Sequence, residues 1–172
     1  MKYIISIILI FNISAVNANE IFNLLKIPNL EIYNMNSLNG LKYLYTKNNF
    51  KIGVKNNISC DKSKKNKLDE KYLIVEKNLN KYKADFLIKN NLKFIILCEN
   101  LTVSSISTGG VPNILKRSLI LDINFNQKHF ERMIHHEFFH MIHAKHNQIF
   151  DETLWSKFNK TSFKYAECST CS

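Results

Sequence analysis

The sequence predicts an α+β fold: one domain with a small mixed sheet, a helix backing it, and a second helix that carries a metal-binding motif. Three observations predict it. Asp69–Lys89 repeats Leu73, Val75, Leu79, Tyr82, Phe86 and Leu87 at near-helical spacing, with Lys and Glu between them. Leu92–Cys98 (L-K-F-I-I-L-C) and Ser118–Ile123 (S-L-I-L-D-I) are apolar runs of strand length. Asn126–Lys145 holds no Gly or Pro, and at about 100° per residue it gathers Phe130, Ile134, Phe138, Met141 and Ile142 on one side.

The chain opens with Lys2 ahead of an apolar run, Tyr3 to Ile13, too short to span a bilayer. Val16-Asn17-Ala18 puts small residues where signal peptidase reads. This predicts a signal peptide over 1–18, cut after Ala18, and a secreted or periplasmic mature domain over 19–172. No Cys sits near the cut, which argues against a lipoprotein. No later apolar run reaches membrane-spanning length, so no stable membrane insertion is expected after cleavage.

Glu20–Leu25 is a short amphipathic segment that stops near Pro28, and Leu30–Tyr33 reads as a strand. Asn34–Gly40 is rich in Asn, Ser and Gly and reads as a link. Leu41–Tyr45 and Phe50–Val54 alternate loosely, which predicts a hairpin around Lys47-Asn48-Asn49. Asn56–Lys67 is polar and reads as a loop; so does Glu99–Asn113, with Gly109, Gly110 and Pro112. Asp69–Lys89 reads as one backing helix.

The net charge is +10, and +9 once Lys2 is removed (10 − 1). The lysines are scattered apart from Lys62–Lys67, which reads as a solvated loop. Arg occurs only at Arg117 and Arg132, a poor supply of bidentate phosphate contacts, so no nucleic-acid partner is expected. The four cysteines, Cys60, Cys98, Cys168 and Cys171, permit disulfides in an exported chain. Cys60–Cys98 with Cys168–Cys171 is one of three pairings. Cys168-Ser-Thr-Cys171 could instead be a redox pair or half a zinc site.

Residues 135–140 read His-His-Glu-Phe-Phe-His and contain H-E-x-x-H at His136, Glu137 and His140. On a helix, positions i and i+4 share a face, so both imidazoles can bind one Zn²⁺. Glu137 follows the first ligand and can reach a water on the metal, which makes it the candidate general base. Composition alone produces such a match in roughly 1 of 100 chains like this one. The apolar stripe lies almost opposite His136 and His140, so the helix would bury one side and turn the ligands to a cleft. The plainer alternative is a surface helix whose histidines face solvent.

H-H-E-F-F-H after an apolar strand resembles the zincin metallopeptidases. Asp151–Asn159 (D-E-T-L-W-S-K-F-N), with Phe163 and Tyr165, resembles a bacterial group of secreted zinc-binding metallopeptidases. The resemblance covers roughly residues 85–165, and the zinc motif is its specific part. It implies a zincin-like fold, Zn²⁺ as cofactor and hydrolysis of a peptide or protein substrate. It also implies that the strand before the active helix, Ser118–Ile123, pairs its open edge with an extended substrate.

Catalytic zinc usually has three protein ligands. His146 matches the spacing of H-E-x-x-H-x-x-G-x-x-H, but His143 stands at the Gly position where that motif turns sharply. Glu152 lies close after His140 for a chain that must leave one helix and return on another. Glu167 lies near the end of the sequence with no helical pattern around it. In the resembling group an acidic helix follows the Trp–Asn–aromatic stretch, and this sequence ends where it would begin. The expectation is a truncated C-terminus or a degenerate site. His135 and His143 read as groups supporting the ligands or facing solvent rather than as ligands themselves. Trp155 and Phe163 could line a substrate pocket, although aromatics here are more often core. The leading reading is an exported zinc-dependent metallopeptidase using His136, Glu137 and His140. The alternatives are a catalytically inactive zincin-like binding protein and a structural Cys/His zinc site using Cys168 and Cys171.

Overall fold

A computed structural model describes residues 29–150 together with Leu154, Lys157 and Phe158. The fold is α+β, built on a curled sheet of eight strands. They are β1 (Leu30–Asn34), β2 (Lys42–Thr46), β3 (Phe50–Ile52), β4 (Ile58–Asp61), β5 (Phe94–Val103), β6 (Ile106–Ser107), β7 (Gly110–Asn113) and β8 (Ser118–Asp122). The helices are α1 (Lys65–Leu79), α2 (Ala84–Lys89) and α3 (Gln127–Lys145).

The ten-residue β5 organises both halves of the sheet. Its first half runs parallel to β2 on one side and to β8 on the other. The antiparallel strands β1 and β7 flank this parallel core. The second half of β5 leaves that layer and pairs antiparallel with β4 and β6. Alternate β5 side chains therefore enter two cores. Ile95 and Leu97 join Tyr43, Leu119, Leu121 and the helices, whereas Phe94, Ile96 and Cys98 meet Leu44, Ile120, Phe50 and Cys60. Burial on both faces explains why this strand reads as an unbroken apolar run. Cys60 and Cys98 are disulfide-bonded and tie β4 to β5. Cys168 and Cys171 lie outside the described residues, as do Glu20–Leu25 and residues 1–18, where a signal peptide is expected. No helix among the described residues is long and apolar enough to cross a membrane.

Several expectations from sequence are corrected. Leu41–Tyr45 and Phe50–Val54 do not pair as a hairpin. β2 already has β1 and β5 as its two ladder partners, which leaves no edge for β3, and β3 pairs with β4 instead. The polar stretch 56–67 is not one loop: it holds β4 and the first turn of α1. Lys64, at the N-cap, contributes no side-chain cap. Instead the Glu99 carboxylate accepts the Lys64 N–H at 2.7 Å, placing an anion at the helix N-terminus. The supposed loop 99–113 contains the rest of β5, β6 and β7. The backing helix is two helices. The break after Leu79 lets Tyr82 turn onto Phe138, with ring centroids 5.2 Å apart.

Candidate metal centre

Asn126 caps α3, its side-chain oxygen accepting from the His129 N–H at 3.0 Å. One face of the helix is buried as the periodicity predicts: Phe130, Ile134, Phe138 and Met141 are inaccessible, and Ile142 packs against the same core. Val75 and Leu79 of α1 share that core. His135 reinforces the helix pair. Its Nδ1 meets the Tyr82 hydroxyl at 2.8 Å and its Nε2 the Asn78 Oδ1 at 3.1 Å. Burial, then nearby Lys81, push its pKa below the usual imidazole range.

On the other face His136 and His140 are exposed. Their Nε2 atoms converge to 3.1 Å and their rings stand nearly perpendicular, at 88°. Two nitrogens each about 2.05 Å from one tetrahedral Zn²⁺ are about 3.3 Å apart. The pair therefore fits two positions of a zinc coordination shell. The same separation suits one N–H···N bond between neutral rings. Partial desolvation against the cleft, then His136 and His143 nearby, hold the His140 pKa below its usual value and favour the neutral ring that a metal needs.

Glu137 lies beside the two imidazoles but is buried. It is 6% exposed, and burial raises its carboxyl pKa, opposed by the neighbouring His136. The space it occupies comes from β7. A Cβ added to Gly110 would lie 2.4 Å from Glu137 Cγ, and one on Gly109 would lie 1.7 Å from Met133 Cε. Two of the chain's four glycines thus let α3 approach the β7 backbone. Gly110→Ala is expected to displace Glu137 and destabilise the fold by about 1–3 kcal/mol, read from the urea midpoint. An unchanged midpoint would mean that α3 is not held against β7.

A cleft of about 680 Å³ opens over the motif. Thr108, Gly110, Pro112 and Ile114 line one wall; His136, Glu137, His140, His143 and Ala144 line the other. The wall from β7 is invisible to a motif search. Its only trace in the sequence is the Gly109-Gly110 pair followed by Pro112.

Two further expectations change. Ser118–Ile123 has no open edge, because β8 lies between β5 and β7 and all five of its residues are buried. His146 does not join His136 and His140. α3 continues to Lys145 with no glycine to turn it, and His146 Nε2 meets Asn90 Oδ1 at 3.0 Å. His143 lines the cleft and stacks on Phe139, with centroids 6.2 Å apart. Glu152, Trp155, Phe163, Tyr165 and Glu167 lie outside the described residues. Among the described residues no three His, Cys, Asp or Glu side chains gather as a metal site.

No protein-family model, no curated protein and no solved structure matches this chain.

Proposed function

We propose that this chain is an exported zinc-dependent metallopeptidase of zincin type. The observation that carries the reading is the convergence of His136 and His140 beside a buried Glu137, within a cleft walled by an edge strand. The disulfide between Cys60 and Cys98 supports export, because such bonds persist in oxidising compartments.

His136 and His140 would hold the metal through Nε2. Zinc at such a site supplies Lewis acidity and lowers the pKa of a water toward about 7. Glu137, buried beside the two imidazoles, would act as the general base, accepting a proton from an attacking water and passing it to the leaving amine. Its raised pKa suits this exchange, since a stronger base near neutral pH accepts the proton more readily. A peptide or protein substrate lies along the cleft. Among the described residues, the open edge available to pair with it belongs to β7, not to β8.

A second reading is a zincin-like binding protein without a complete zinc site. It starts from the two imidazoles that the described residues bring together without a third His, Cys, Asp or Glu. Elemental analysis of the folded chain separates the two. The peptidase reading expects about one zinc per chain, lost in His136→Ala and retained in His146→Ala. A folded chain that takes up no zinc would leave only the binding-protein reading.

A further inference from the structure

Among the described residues β7 is the outer strand of its layer, pairing with β8 alone. Its register identifies the groups left over. The Asp122 N–H donates to the Gly109 carbonyl at 2.8 Å, which makes Gly109 and Asp122 a hydrogen-bonded pair. In an antiparallel ladder such pairs alternate with pairs whose N–H and C=O groups point outward. Since Gly110 faces Leu121, Val111 faces Ile120, Pro112 faces Leu119 and Asn113 faces Ser118, the outward pair is Gly110 and Pro112.

Both outward residues line the cleft with His136, Glu137 and His140. Gly110 brings an N–H and a C=O, the latter 3.2 Å from the Thr108 hydroxyl. Pro112 brings a C=O and no N–H. An incoming strand can therefore exchange two bonds with Gly110 and can only donate to Pro112. At that register its own carbonyl finds no donor on β7.

On the peptidase reading above, we propose that Pro112 is a specificity-determining residue. It confines main-chain pairing to the Gly110 level beside Glu137 and replaces the next ladder bond with an apolar subsite formed by Pro112, Ile114 and Ala144. The substrate class is then an extended peptide with an apolar side chain over that subsite. The missing donor weakens binding of any long β-strand, while an apolar side chain regains affinity by leaving water. The competing role for an edge proline is protection of the sheet against pairing with a second copy.

The test compares the zinc-loaded chain with Pro112→Ala on blocked peptides of Ala and Leu, one long enough to cross Pro112 and one ending at Gly110. The restored N–H adds one hydrogen bond, so KM for the long peptide should fall about fivefold, and KM for the short peptide should not. Pro112→Val restores the same N–H with a strand-favouring side chain and should reproduce the shift, which guards against a loosened edge in the Ala variant. Equal KM values for the long peptide in all three proteins overturn the proposal. Self-association of the variants with unchanged KM also overturns it, in favour of edge protection. Absence of turnover in the zinc-loaded parent chain sinks the peptidase reading itself. Turnover with no KM shift sinks the specificity role alone.

Discussion

On the proposed peptidase reading, Glu137→Gln should retain zinc and lose peptide hydrolysis, with kcat falling roughly 10²–10⁴-fold. The substitution keeps the volume and a carbonyl oxygen, so the packing against Gly110 survives. What disappears is the group that accepts a proton. The loss should fall on kcat rather than KM, because proton transfer contributes only in the transition state. Zinc content measured alongside turnover is the control. A Glu137→Gln chain that kept its zinc and cleaved peptides at the parent rate would sink the assignment of Glu137 as base. One that lost both zinc and fold would show that this buried carboxyl serves packing first.

The second large effect concerns the tie between the two halves of the sheet. Cys60 and Cys98 are 38 residues apart in sequence, and both are buried. Closing a loop of that length lowers the entropy of the unfolded chain by an amount worth about 4 kcal/mol of stability. Small domains have roughly 5–15 kcal/mol in total, so loss of the bond should leave the fold marginal. The Cys60→Ala, Cys98→Ala double variant should show this as a large fall in urea midpoint. The damage should begin in β3 and β4, because that hairpin reaches the core through Cys60 and Phe50. Hydrogen exchange would locate it. A double variant within about 1 kcal/mol of the parent would mean that pairing with β5 holds the hairpin without the disulfide.

The two predictions depend on features of unequal visibility in the sequence. α3 could be read almost completely. Its period of apolar residues identified the buried face, and the spacing of His136 and His140 placed both imidazoles on the opposite side. The apolar runs before it were equally plain, since β5 and β8 are buried on both faces. β4 was not legible. Ile58-Ser59-Cys60-Asp61 is short and half polar, and it becomes a strand because β5 offers it a ladder and Cys98 holds it there. The first turn of α1 was hidden for a similar reason, as its N-terminal anion arrives from Glu99, 35 residues away.

By itself, then, the sequence determined the α+β class and the helix that carries the histidines. These follow from local periodicity and residue type. Only the tertiary structure decided that Glu137 is buried, that β7 and not β8 is the open edge among the described residues, and that His146 is turned to Asn90. Each of these depends on which distant backbone lies alongside. A glycine pair leaves room for a carboxyl only after a strand and a helix have met, and no spacing along one segment encodes that meeting.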